Sequence, residues 1–290
     1  MNKKIITKIT VALLWMVTSC WAYECSKSSE HTTYPGTEEP QKVEPNSVDT
    51  VLKQLNEKAS ELKSYEGRIE YKYIQPLLES EALRKGILYY AKFEPASASL
   101  DASRGSRGKS VLRINFETLK QEDEEEQKYI EHYIFDGTWL TQINYQIKTV
   151  TRYELAEPNE PMDAFDVASR NLPIIGFTKI EDLKKQFEIK LVEQEKGKPE
   201  DSNFIGLHLK VKPDSIYKDN YIYLDFWIDK KSGLPAKVVA LSIEKDIYEI
   251  KLLKAKVNKG VDKKVFELKI PKGFGEPEIV PLKKKTNPPK

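Results

Sequence analysis

Residues able to do chemistry are sparse in this chain, and Cys20 is the one whose neighbours prescribe a reaction. It closes "VTSC" (17–20) behind a basic stretch with Lys3, Lys4 and Lys8 and the apolar run "ITVALLWMV" (9–17), which is too short to span a bilayer. A small residue, Ser19, before a cysteine fits a lipoprotein signal cut ahead of Cys20, whose sulfur then receives a diacylated lipid. A second cut is open: "CWA" (20–22) has the A-x-A-like form and would release a free chain beginning at Tyr23. The segment beyond favours the anchor. Residues 26–47, "SKSSEHTTYPGTEEPQKVEPNS", lack apolar periodicity and are rich in Pro, Glu, Ser and Thr, the composition of a disordered tether. With Cys20 lipidated or removed, Cys25 has no disulfide partner.

Other chemistry finds little support. "GSRGKS" (105–110) ends like a phosphate loop, but Ser103 stands where the first glycine is required, and a strand pattern rather than a helix follows. There is no G-x-S-x-G elbow and no H-E-x-x-H. His132 and His208 sit in strand patterns, and with His31 and one spare thiol they make a metal cluster improbable. Asp225 with Asp229, or Glu131 with Asp136, would suit acid and base, yet with 45 Asp and Glu such pairs carry little information. The two charge signs are interspersed and the net charge is +2, which argues against a nucleic-acid surface. "EDEEE" (122–126) and "KKK" (283–285) read as a solvated loop and tail. The expectation is a protein that is not an enzyme and uses no cofactor or metal.

The framework that positions these residues is read from periodicity. With 290 residues, 32% of them charged, and a mean hydropathy of −0.57, one core is the simplest arrangement. In "NSVDTVLKQLNEKASELKSY", Val51, Leu52, Leu55, Ala59 and Leu62 share a helical face, with Asn46, Ser47 or Asp49 as caps. Strand alternation recurs at 66–75, 82–93, 111–119, 128–135, 138–144, 147–154, 187–194, 204–212, 221–229, 235–243 and 247–257, with hairpin turns at "DG" (136–137) and "KKSG" (230–233). Shorter helices are expected at 161–172 and at 178–182, the latter opening on the capping box Thr178 and Glu181. No internal repeat and no βαβ alternation is present. The expected fold is mainly β with helices (α+β), one large antiparallel sheet of about eleven strands. The expected organisation is a signal peptide at 1–20, a tether at 21–47, a domain at 48–275 and a polar tail at 276–290.

One stretch of this polar chain is unusually rich in aromatic and β-branched residues. In "FDGTWLTQINYQIKTVTRY" (135–153) one parity carries Trp139, Thr141, Ile143, Tyr145, Ile147, Thr149, Thr151 and Tyr153. These side chains either pack beneath helices as core or line an apolar cavity, since a large sheet with few helices cannot be fully covered.

The same stretch resembles the "DG-x-x-L-W-x-Y" ribbon of the bacterial outer-membrane lipoprotein carriers, the LolA/LolB-like lipoprotein-sorting proteins. "KVNKGVDKKVFELKIPKGF" (256–274) is similar to their closing hairpin, "DFWIDKKSGLPAKV" (225–238) to their D-x-x-G turn, and the stretch after the first helix to their L-x-x-L-K-S-Y-x-G-x-I-x-Y opening. The similarity covers about residues 48–274. It implies an incomplete, strongly curved β-barrel of eleven antiparallel strands closed by a helical lid, whose interior holds the acyl chains of lipoproteins. Trp139, Ile143, Phe226 and Ile228 are the residues expected to contribute to that cavity. Each methylene withdrawn from water is worth about 0.8 kcal/mol, so a multi-chain anchor must be enclosed in transit. Where the family's lid-latching arginine precedes its proline, this chain has Phe93 and Glu94 before Pro95, with Lys92 as the nearby cation. An ionised carboxylate only accepts hydrogen bonds, so the latch is expected to be missing, which suits a membrane-anchored acceptor facing the periplasm better than a soluble shuttle. The resemblance also allows an envelope-stress sensor binding a periplasmic protein partner on the same scaffold.

Overall fold

The computed structural model describes residues 47–93, 109–157, 164, 180–192 and 203–282. The expected helix at 161–172 lies outside them except for Ala164, which is helical and fully buried, as do Cys20, Cys25 and the tether up to residue 46.

Helix α1 (Val48–Ser60) is capped by Ser47, whose hydroxyl oxygen accepts from the Thr50 N–H at 3.2 Å, and Asp49 stands in its first turn. Two meanders follow. The first contains β1 (Ser64–Gln75), β2 (Ser80–Phe93), β3 (Lys109–Gln121), β4 (Gln127–Phe135), β5 (Trp139–Asn144) and β6 (Thr149–Glu154). After helix α2 (Ile180–Gln186) come β7 (Phe187–Leu191), β8 (Phe204–Val211), β9 (Tyr221–Asp229), β10 (Pro235–Ser242) and β11 (Ile247–Val257), and finally a short β12 (Glu278–Val280). All form one sheet in the order β12-β6-β5-β4-β3-β2-β1-β11-β10-β9-β8-β7, antiparallel except for β12 on β6. The meanders are joined by the β1 and β11 pair, and the two edges do not meet, so the half-barrel stays open.

The turns are built by the residues that announced them. The Asp136 carboxylate accepts from the N–H groups of Thr138 and Trp139, and Gly137 takes φ 99°. Asp229 does the same for Lys231 and Ser232, with Gly233 at φ 68°. Curvature comes from register shifts, one at Gly67 between β1 and β11 and another at Gly86 between β2 and β3. A Cβ at Gly86 would run into the Asn115 carbonyl, so only glycine lets these strands close up. At Gly67 a Cβ would lie 2.6 Å from the Tyr65 hydroxyl, so the tyrosine ring occupies the space the missing side chain leaves.

One face of the sheet carries the main core. Val51, Leu52 and Leu55 of α1 merge with side chains from β1 to β4 and from β7 to β11 in a single cluster. Adjacent strands lie about 4.8 Å apart and a helix is only about 10–12 Å across. A face that wide can wrap one helix only by bending round it.

The C-terminal segment corrects one expectation. Residues 256–274 do not form a closing hairpin: β11 ends at Val257, a short 3-10 turn covers Lys263–Phe266, and the chain then crosses the opposite, outer face as a strap. Phe266 packs edge-on against Phe93 with ring centroids 5.9 Å apart, Arg113 Nη1 donates to the Val265 carbonyl at 2.7 Å, and Phe274 meets Tyr145 at 5.4 Å. The strap's apolar residues have these outer-face partners, so they have no need of a strand of their own. Asn258 pins its root: Lys63 and Ser64 donate backbone N–H bonds to its Oδ1, and its Nδ2 donates to the Glu61 carbonyl. Beyond the strap, β12 falls within the stretch read as a polar tail and extends the sheet by a strand.

Candidate functional site

Period-two alternation assigns every strand residue to the inner, helix-covered face or the outer one. Phe226 and Ile228 are 1% and 4% exposed and belong to the inner cluster with α1. Trp139 and Ile143 do not join them. Leu140 lies opposite Phe135 and Gln142 opposite Tyr133, both inner residues, so Trp139, Thr141 and Ile143 point outward. Ile143 packs with Ile134 and Val150 beneath Phe274 of the strap, and the Arg152 guanidinium lies 4.8 Å from the Trp139 ring centroid. The outer side of the aromatic ribbon is thus covered by the strap.

The inner face has two chemical halves. From β7 to β11 it is apolar, with Leu207, Leu209, Leu224, Phe226, Ile228, Val238, Ile250 and Leu252 all buried. From β2 to β5 it carries a buried polar network. Arg84 Nη1 donates to Glu131 Oε2 at 2.7 Å, and their side chains are 4% and 1% exposed. Gln142 Nε2 donates to Glu131 Oε1 at 2.8 Å and to the Tyr133 hydroxyl at 3.1 Å, while Asn144 Nδ2 donates to the Tyr129 hydroxyl. The Arg84 guanidinium also lies 5.3 Å from the Tyr129 ring centroid. Burial alone would lower the Arg84 pKa, but the Glu131 carboxylate and the surrounding tyrosine oxygens outweigh it and raise it. Burial, reinforced by Glu131, holds the Tyr133 phenol well above its ordinary value. Arg84 therefore keeps its charge against the Glu131 carboxylate inside the core.

Tyrosines complete the inner surface. The Tyr73 hydroxyl donates to Asp246 Oδ2 at 2.5 Å, and its ring stacks on Tyr248 at 5.0 Å. The Tyr65 hydroxyl is buried without a hydrogen-bond partner among the described residues, and burial pushes its pKa up to about 12.

The carboxylate pairs considered for acid and base work are engaged elsewhere. Asp225 Oδ1 meets His208 Nδ1 at 2.6 Å on the outer face, Asp229 and Asp136 cap turns, and Glu131 holds Arg84. Lys109 and Ser110 of "GSRGKS" lie in strand β3, where a phosphate loop would need a helix start. Among the described residues no group of three or more His, Cys, Asp or Glu gathers as a metal site. No helix there is long and apolar enough to cross a membrane. The backbone N–H of Lys92 donates to the Lys63 carbonyl, while Glu94 and Pro95 lie outside the described residues.

The pairing of Arg84 with Glu131 has a signal in the sequence. Arg84 shares parity with Leu88 and Tyr90, and Glu131 with Tyr133 and Phe135, so each strand placed one charge on its apolar side.

No family model and no curated protein sequence matches the chain. Among solved structures it is similar to MucB, with 12% identity over 77% of this chain and 64% of that one and a TM-score of 0.43. MucB from Pseudomonas aeruginosa has also been solved in complex with MucA. A LolA superfamily protein from Nitrosomonas europaea is similar at 11% identity over 76% of this chain and 97% of that one, with a TM-score of 0.31. Lipoprotein LppX from Mycobacterium tuberculosis is similar at 10% identity over 74% and 99%, with a TM-score of 0.37.

Proposed function

We propose that the protein binds the acyl chains of lipoproteins or related lipids against the inner face of its half-barrel, for their transport or insertion at the outer membrane. The observation that carries this reading is the wide, open sheet whose apolar inner face is continuous with the buried side of α1. Val51, Leu52 and Leu55 offer that face the same aliphatic contact that acyl chains would. Exchanging the helix for lipid therefore replaces one apolar contact by another, whereas water entering the same space would cost about 25 cal/mol for each Å² of apolar surface exposed. In this reading α1 is a displaceable roof, with Phe226 and Ile228 on the surface it vacates. Trp139 and Ile143, beneath Arg152 and the strap, act by shaping the sheet from outside.

Acylation of Cys20 would tether the domain to a membrane through residues 21–47, facing the periplasm. Glu94 in place of the latching arginine favours an acceptor that takes lipid without a locked empty state. Solvent extraction of the purified full-length protein, followed by mass spectrometry of the extract and of its N-terminal peptide, tests both halves separately. Copurifying acyl lipid and a diacylated Cys20 are the expected results. An empty interior with a stable complex to another protein's periplasmic segment would replace the lipid reading with partner binding. An unmodified terminus at Tyr23 would overturn the anchor alone.

A further inference from the structure

Among the described residues, the turns at the two ends of the half-barrel differ in kind. Strand register places the β1–β2, β5–β6, β8–β9 and β10–β11 turns at one end, since Gln75 pairs with Ser80, Asn144 with Thr149, Ile74 with Ile247 and Ser242 with Tyr221. On these turns stand Leu77, 81% exposed, Leu78 and Ile216, each 59%, Ile147, 58%, and Ile243, 48%. Among the described residues no exposed large apolar side chain stands on a turn at the other end, where Asp136 and Asp229 organise polar turns.

Three of these turns are physically joined. Gln75 Nε2 and the Tyr73 hydroxyl donate to Asp246 beside the β10–β11 turn, Ile243 N donates to the Asn220 carbonyl, and Ile216 N donates to Gln186 Oε1 at the end of α2. The first turn is a rigid tip: Pro76 opens a single 3-10 turn, Glu79 closes it at φ 50°, and the two leucines are held outward between them. Isolated exposed apolar residues are ordinary, but several raised on neighbouring turns at one end are not.

The chain itself indicates what this end faces. Asp49 at the start of α1 pairs with Lys184 at 2.6 Å, and the Lys184 carbonyl accepts from Lys212 Nζ, just beyond the end of β8. The last turn of α1, in contrast, lies at the opposite end, where the Lys58 side chain sits against Gly233. The segment that precedes Ser47, with Cys20 at its expected mature start, therefore joins the domain at the apolar end. The exposed acidic turn at 122–126 is also at this end, because Gln121 pairs with Ala82 near the start of β2. The apolar turns carry exposed Lys148, Lys218 and Lys245, which the acidic run at 122–126 offsets, so contact through this end is driven by apolar insertion rather than by attraction to anionic headgroups.

We infer that this rim docks on a lipid surface, with Leu77 and Leu78 as its inserting tip and Ile216 and Ile243 as its flank. The inference goes beyond acyl binding by the inner face: the rim meets a bilayer from outside whether or not the interior is loaded. It sets the half-barrel on end, so that α1 stands with its first turn toward the membrane.

The test uses the full-length protein reconstituted into phosphatidylcholine vesicles whose acyl chains are brominated near the ester. Leu78→Trp and Ile243→Trp report the rim, and Ile270→Trp, a 40% exposed site on the strap, reports the outer face. The unaltered chain, which keeps Trp21, Trp139 and Trp227 once cut ahead of Cys20, supplies the background. Added emission from the two rim variants should be quenched severalfold relative to unbrominated vesicles, that from Ile270→Trp should not, and phosphatidylglycerol should not strengthen the effect. Unquenched emission from Leu78→Trp overturns the proposal. Emission that instead shifts with protein concentration assigns the rim to a second copy of the chain and also overturns it. Each variant is compared with the parent by circular dichroism, and the solvent extraction above reports interior lipid independently.

Discussion

Shortening Leu52 should separate a displaceable roof from an ordinary core helix, because the two predict opposite effects on lipid binding. Leu52 is 1% exposed between α1 and the sheet, and truncating such a leucine to alanine costs about 2–5 kcal/mol. In the roof reading that loss falls on the closed state alone, since Leu52 leaves the core when α1 moves aside. The closed-to-open equilibrium then shifts by the same free energy, roughly 30-fold to several thousandfold. Apparent affinity for an acyl probe rises with it until the open state predominates. Leu52→Ala should therefore lower the urea midpoint and tighten binding of a fluorescent fatty acid in the same preparation. Leu119→Ala is the comparison, because Leu119 packs in a separate small cluster with Ala82 and Tyr129, away from α1. It should lose stability with no gain in affinity. If Leu52→Ala loses stability while its probe affinity stays level or falls, α1 is a structural helix and the exchange argument fails.

The opposite facing of the ribbon gives a second test: Phe226→Asp should abolish acyl-probe binding, whereas Trp139→Asp should leave it intact in protein that remains folded, read by probe titration beside circular dichroism. Glu131→Gln leaves the 4% exposed Arg84 without its counter-charge and should cost about 3–5 kcal/mol in urea unfolding. The double replacement Arg84→Met with Glu131→Leu should recover most of that loss. Burial and, secondarily, Arg113 lower the His132 pKa to about 4. The folded state thus resists a proton that the unfolded chain accepts near pH 6.5, so this contribution is complete above about pH 6.5 and is lost as the pH falls toward 4. His132→Asn should flatten thermal stability across that interval.

Alternation located all eleven expected strands and α1, because one-sided burial imposes period two on a strand and about 3.6 on a helix. It could not say which parity was inside, and in β5 the usual inference runs backwards. Leu140, Gln142 and Asn144 face inward, the two amides serving the Arg84 and Glu131 network, while Trp139 and Ile143 face outward. The apolar parity lies outside because the strap supplies an apolar partner there. Nothing local to residues 138–144 encodes a segment more than a hundred residues away, and Phe274 reads as an ordinary loop aromatic until its neighbours are known. The strand β12 was illegible for a similar reason: three residues carry too short a period, and its pairing with β6 is set by where the strap delivers it.

That delivery bears on how the protein assembles. Until β12 arrives, β6 is the bare margin of a sheet, with a row of unpaired backbone groups able to recruit any other extended chain. Its partner comes from the far end of the sequence: the Leu282 N–H that bonds the Glu154 carboxylate is 128 residues away. Contacts of that span form late. A chain synthesised from its N-terminus must complete both meanders and carry its strap across β2 to β5 before this margin is sealed. Loss of the last dozen residues would spare the inner core and leave an adhesive edge, so the cost would be seen as aggregation, at nearly unchanged core stability.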